Sequence, residues 1–503
     1  MKKQIILALS AVLALACTDL EEDLDGLLEE SGLTDQEIVS GQISSAYNQL
    51  RSFQQTDFQF VLHQHPTDEM AGPTRGADWD DGGAWRALHL HQWNSSHPRI
   101  NGAWDQLLGG LFSAIDALSN NPGTEDEAVA TFYMSFYLHQ AMDLWGQVPF
   151  REPGSSYAEN PVVLSRTEAI DVAISRLEAV FNNMPSTSAN NTANRYAAAA
   201  LLAKLYLNKA VYKATDADGT PQTGPYTFDS ADMQKVIDYC DIVIAGPYTL
   251  KENYFDMFSP NNTALATENI FVSENDNATG GEMRRLYYMT LHYNHNPGGW
   301  NGFVALTDLY DRFDENDPRR GGSYDGLTDV SGLNTGFLLG QQFNQNGEMI
   351  LDRQDVPLAY TQDFELANST EEKGMRVIKY IPDYNNIDRP ANDYVIFRLA
   401  DIYLMKAEAM ARMGGDPTGP LATLRNARGV DELYTGTTLA DILEERSREL
   451  YWEGWRRNDQ IRFGTFLDPV QQKPDASDRT KLIFPVPATA LSTNPNLKQN
   501  PGY

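Results

Sequence analysis

Three tryptophans, Trp79, Trp85 and Trp93, fall within the stretch TDEMAGPTRGADWDDGGAWRALHLHQW, from Thr67 to Trp93. Glycines and charges interrupt any helical or alternating period there, so nothing in the pattern turns all three indoles inward. An indole left at a surface is suited to binding. It covers an apolar ligand face with little rotamer entropy to lose, while its N–H and neighbouring Asp or Asn side chains can bond the ligand's polar rim. A sugar ring has such a face. The competing reading is a long loop folded onto its own aromatics.

Covalent chemistry finds less support. A glycoside hydrolase needs two carboxylates flanking the scissile bond, but among 69 acidic residues no spacing singles out a pair. Phosphate loops, nucleophile elbows and dinucleotide fingerprints are absent, so the expectation is a binding protein and no enzyme. His63, His65, His89, His91, His292 and His295 lie near the aromatic loops, and HxH spacing would put two imidazoles on one side of a strand. No third metal ligand is identifiable, so Asp or Tyr partners are expected for them. Asp78, Asp80 and Asp81 with Gly82, and Asp216 with Asp218, hint at calcium loops without completing an EF-hand pattern. No cofactor is expected, and calcium is the one ion left open.

The whole chain bounds the ligand class. Its 503 residues carry a formal charge of -30 and a pI near 4.5, which argues against nucleic acid and against polyanionic ligands. Lys2 and Lys3 precede an apolar run from Ile5 to Ala16 that suits a signal peptide over residues 1–16 and is short for a membrane span. The run ends Ala14-Leu15-Ala16-Cys17, which resembles a bacterial lipoprotein processing site. Cys17 is then the lipidated residue, attached to the membrane by its acyl chains. Residues 17–30 form an acidic tether. With Cys17 acylated, Cys240 has no disulfide partner and fits the apolar face of its helix beside Met233, Val236 and Ile237.

Helices must position the aromatic loops. Trp104, Leu107, Leu108, Leu111, Phe112, Ile115 and Leu118 make one stripe ending before Asn121-Pro122-Gly123. A second helix begins near Glu125 and breaks at Gly146. A third has a capping box in Ser165 and Glu168, and a fourth, RYAAAALLAKLYLNKAV, lets a neighbour approach over its alanines. Further helices are expected at 231–245, 394–413, 420–427 and 439–462. Paired helices of this kind look like tetratricopeptide units, although no strict 34-residue consensus repeats. The expected fold is an all-α scaffold over about 31–247 and 394–503. Residues 248–393, rich in Asn, Gly, Asp and Tyr, form a loop-rich binding insert. Tyr287, Tyr288, Tyr293 and Trp300 supply aromatics there, and Asn294, Asn296 and Asn301 supply amides.

These motifs resemble one family. AVATFYMSFYLHQAMDLWGQVPF, LSRTEAIDVAISRLEAVF with RYAAAALLAKLYLNKA, FRLADIYLMKAEAMAR, ERSRELYWEGWRRNDQIRFG and the ending FPVPATALSTNPNLKQNPGY are similar, in this order, to the SusD/RagB family of Bacteroidetes surface lipoproteins. The resemblance implies the helical scaffold, an outer-membrane lipid anchor exposed at the surface, and a SusC-like TonB-dependent transporter as partner. It also gives Trp145, Trp452 and Trp455 structural roles, while the i,i+3 spacing of Arg446 and Glu449 suits an ion pair with no chemistry. In the family's starch-binding members an arc of aromatics with nearby Asp, Arg and Asn holds the glycan. Matched by order, the positions here are Asp68, Arg75, one of Trp79, Trp85 or Trp93, Asn94, Tyr293 and Trp300. A clamp of Trp79 and Trp300 is the leading arrangement, with Trp85 in reserve and Asn301 as an amide neighbour. The implied function is capture of a neutral polysaccharide or oligosaccharide, with β-glucan as the leading guess and α-glucan open. The alternatives are RagB-like peptide capture and glycoside hydrolysis.

Overall fold

The computed structural model describes residues 33–503. The expected signal peptide, Cys17 and the acidic tether lie outside the described residues. Among the described residues no helix is long and apolar enough to cross a membrane.

Helices α1 (Asp35–Asn48), α2 (Pro98–Ser119), α3 (Thr124–Trp145), α4 (Arg166–Val180), α5 (Arg195–Lys213) and α6 (Ser230–Ile244) pack each on the next, and α6 packs on α7 (Leu399–Arg412). The result is an all-helical scaffold of successive pairs. Its centre is α3, buried all round from Ala130 to Trp145, as expected of a helix apolar on every side. Gly146, at φ 72°, ends it in the left-handed conformation that glycine adopts without strain. On α5 the alanines 197–200 are fully buried, and Asn194 caps its first turn. The Ser165–Glu168 capping box forms as expected on α4.

Three local expectations fail for physical reasons. Tyr394–Arg398 is a fully buried strand, rich in aromatic and β-branched residues, that pairs antiparallel with Asn269–Ser273 before α7 begins. The segment 439–462 breaks into α8 (Leu439–Leu450) and α9 (Arg456–Phe463), because Trp452 and Gly454 both take positive φ between them. On α2, Phe112 lies outside the core at 50 % exposure and packs against Tyr157 instead.

The motif helices enclose a lattice of buried ion pairs. Arg446 and Glu449 do not pair with each other: Arg446 binds Asp401 and Asp459, while Glu449 receives Arg319, Arg398 and Arg428. Both sit on a buried helix, so each is matched by a different neighbouring segment. Trp145, Trp452 and Trp455 are buried, in keeping with structural roles.

Candidate functional site

The Thr67–Trp93 stretch is fixed to the scaffold and to the insert at once. Asp68 forms ion pairs with Arg456 of α9 at 2.7 Å and Arg312 at 2.6 Å. Burial would raise its carboxyl, but Arg456 and then Arg312 hold it well below the usual carboxylate range. Two residues on, Met70 and Ala71 pair antiparallel with Ala305 and Val304. Arg75 then donates to the carbonyls of Pro73, Gly302, Thr370 and Lys373, tying three segments together.

This frame sets Trp79 against the insert. Trp79 Nε1 donates to the Trp300 carbonyl at 2.7 Å, and the two half-buried rings stand with centroids 6.4 Å apart at 46°. Phe303 and Trp85 support Trp79 from beneath, at 4.8 and 5.7 Å, and a Cβ on Gly302 would run into its ring. Tyr288, also half-buried, extends the surface at 5.5 Å from Trp300, and the Arg285 guanidinium lies 5.8 Å from that indole. A clamp needs two facing rings about 7–8 Å apart, twice a van der Waals contact. The tilted, hydrogen-bonded pair leaves no such gap, so Trp79 and Trp300 make a continuous platform with Tyr288.

A polar rim borders it. Tyr293 donates from its hydroxyl to Asp78 at 2.6 Å, and Arg353 lies 3.9 Å over the tyrosine ring while reaching Asp78 at 3.2 Å and Glu371 at 2.5 Å. Burial and the adjacent Asp78 raise the Tyr293 hydroxyl's pKa, so it stays protonated at neutral pH and keeps its bond to Asp78. His292 completes the chain. Its Nδ1 accepts from the Asn294 N–H, which leaves Nε2 as the protonated nitrogen facing Glu371 at 2.9 Å. Burial lowers the His292 pKa, whereas burial of Glu371 is outweighed by hydrogen bonds from His292 and Arg353 that lower its own.

The sequence-named residues therefore divide. Trp79, Trp300 and Tyr293 come together at the surface. Trp85, 2 % exposed, donates to Asp81 and lies under Arg99, so it supports the platform from within. Asp68 and Arg75 are buried braces, and Asn301 is buried with its Oδ1 accepting from Arg376. Direct ligand contact is withdrawn for these four, because their polar groups are enclosed and already bonded. Trp93 is a buried brace, donating to Tyr503 and packing on Phe484. Asn94 is exposed, but its side chain accepts from Ser96 N–H in a turn and has no bond to the platform. Residue types and spacing did not point to Arg353 or Glu371, which come from a third, turn-rich segment.

The histidines take no strand-like HxH arrangement. His63 lies on the short helix Gln59–Gln64 and contacts Gln140, His65 packs between Trp85 and Phe303, and His89 and His91 contact the backbone carbonyls of Gln471 and Pro66. Asp80 pairs with Arg86, while Asp216 binds Gln222 and Arg479 and Asp218 accepts from Thr220 N–H. Among the described residues no three His, Cys, Asp or Glu side chains gather to hold a metal ion. Cys240 is buried, and burial pushes its thiol pKa up.

A helical-repeat scaffold that presents an aromatic platform on braced loops defines a SusD-type architecture. Residues 267–503 match the model of the SusD family. The starch-binding protein SusD of Bacteroides thetaiotaomicron is 24% identical over 88% of this chain and 85% of its own length. A laminarin-binding SusD-like protein has the same fold with a TM-score of 0.69, at 19% identity, over 94% of this chain and 100% of that one. So does surface glycan-binding protein A from Bacteroides thetaiotaomicron in complex with laminarihexaose, with a TM-score of 0.65 at 17% identity, over 92% and 99%. The C-terminal part of the chain thus matches the SusD family model, and the whole described chain shares the fold of SusD-like proteins.

Proposed function

We propose that this chain is a surface lipoprotein that captures a neutral glycan on the Trp79–Trp300–Tyr288 platform and hands it to a SusC-like TonB-dependent transporter. The observation that carries the reading is the platform itself. Three aromatic rings remain part-exposed beside a rim in which Arg353 bridges the carboxylates of Asp78 and Glu371, a surface that a polyhydroxylated chain would cover. A β-glucan is the leading ligand, a choice favoured by the laminarin and laminarihexaose named for two structural neighbours. The role is non-enzymatic: each rim carboxylate, Asp78 and Glu371, is held by arginine, and Glu371 is kept ionised, so neither is set up as a general acid.

Binding is expected in the micromolar to millimolar range, since each stacking ring adds about 1 kcal/mol beyond buried area. Affinity electrophoresis across laminarin, starch, other neutral polysaccharides and a peptide mixture tests the ligand class. Retardation by laminarin supports the reading, whereas binding of peptides alone would move it to RagB-like peptide capture. Attachment through Cys17 is tested by metabolic labelling with a palmitate analogue, which Cys17→Ser should abolish. Co-purification that recovers no large outer-membrane barrel would count against the handover.

A further inference from the structure

The short helix Arg285–Tyr288 carries two side chains to the platform at once. Residues three apart share a helix face, so Arg285 and Tyr288 both flank the Trp300 indole, at 5.8 and 5.5 Å. Arg353 covers the Tyr293 ring at 3.9 Å, whereas Arg285, at its greater distance, does not cap the indole.

Segments distant in the chain fix this guanidinium. Arg285 Nη1 donates to Asp57 at 2.8 Å, and its Nε meets Glu282 at 2.5 Å. Asp57 in turn pairs at 2.8 Å with Arg99, which lies over Trp85 beneath the platform. Two carboxylates therefore hold the cation beside Trp300. Its Nη2 makes no hydrogen bond among the described residues and is not enclosed. Side-chain exposures of 31% for Arg285 and 28% for Asp57 leave both within reach of a ligand lying on the indole.

The chemistry of this edge names the group that fits it. Each Asp57 oxygen meets one arginine, so acceptor sites remain on both, next to the spare Arg285 donor. A hydroxyl is a neutral group that accepts and donates through one atom. A sugar ring stacked on Trp300 holds its hydroxyls out from its rim, and a hydrogen bond of about 2.9 Å spans the remaining distance to the guanidinium.

We propose that Arg285 and Asp57 are the specificity-determining residues of the platform: a hydroxyl of the sugar on Trp300 accepts from Arg285 Nη2 and donates to Asp57. Stacking measures only a flat apolar face, whereas this charged pair registers where a hydroxyl stands around it. The assignment rests on the glycan-platform reading and adds which side chains choose among glycans.

Calorimetric titration with laminarihexaose and maltohexaose, whose linkages leave different ring hydroxyls free, tests it on the unmodified protein, Arg285→Gln, Asp57→Asn and Trp300→Ala. Arg285→Gln should weaken the preferred hexaose about five- to tenfold and the other less, with little change in melting temperature. Asp57→Asn should give the same pattern, and it decides if Arg285→Gln does not fold. Trp300→Ala should weaken both hexaoses alike. Unchanged affinity in Arg285→Gln, or the same loss on both hexaoses, beside a weakened Trp300→Ala would overturn the assignment and leave the platform reading standing. No binding of either hexaose by the unmodified protein, or no effect of Trp300→Ala, would overturn both.

Discussion

The ion-pair lattice around α8 and the aromatic platform are built on opposite terms. In the lattice every arginine named above meets a carboxylate within the protein, and the groups are shut away from water. On the platform, Trp79, Trp300 and Tyr288 are only half covered, so ring surface remains for something outside the chain. The contrast teaches that charge density here marks the scaffold, while part-exposed aromatic area marks the candidate site. Substitution in the first region should cost stability, and in the second affinity.

The largest effect is expected for Glu449→Gln, which leaves Arg319, Arg398 and Arg428 short of their shared carboxylate. About 3–5 kcal/mol of stability should go, read as a lower urea midpoint. An unchanged midpoint would break the comparison. Asp68→Asn joins both regions: it should lose about 3 kcal/mol and also weaken glycan binding, because the platform loop is braced through Arg456 and Arg312.

Acid should find the lattice first. Burial opposes ionisation of Glu408 and Glu445, but Arg462 and Arg319 respectively lead the opposing charges, and both carboxyls sit at about 2, below the ordinary 4.5. A depressed folded pKa stabilises above the unfolded value, so their contribution is whole above about pH 4.5 and drains away as pH falls towards 2. Thermal melts between pH 6 and 2.5 check the window, and a flat profile would contradict it.

Effects on the platform are smaller. Trp300→Ala should lower glycan affinity roughly tenfold, about 1.4 kcal/mol, with little change in melting temperature. Arg353→Gln is expected to change either quantity least, by under about 1 kcal/mol, since the side chain is 45% exposed and solvent screens its pairs. Calorimetry alongside thermal melts separates the two responses.

Sequence periodicity made the scaffold legible: α2 to α6 fall on the segments that apolar spacing marks, with α3 ending at Gly146 and α4 opening on the Ser165–Glu168 capping box. It was less informative where chain-distant partners decide the outcome. Tyr394–Arg398 is a strand because Asn269–Ser273 lies alongside, and Arg446 and Glu449 are parted because other helices supply better-placed charges. At the candidate site, the tryptophan-rich loops pointed to Trp79 and Trp300, which the fold brings together. Whether an indole is outside or under the surface depends on packing, and Phe303, His65 and Arg99 bury Trp85. Asp68 and Arg75 followed the same rule, being charges that face inward to partners hundreds of residues away. Arg353 had no periodic context and became visible only through its contacts with Tyr293 and Asp78.

The central claim is that the half-covered aromatic rings bind glycan while the buried charges hold the fold. Calorimetric titration of laminarin into the unmodified protein and into Trp300→Ala, with both melting temperatures recorded, tests it most directly. The account predicts saturable binding that weakens about tenfold in the variant at an unchanged melting temperature. Equal affinity in the two well-folded proteins would contradict it.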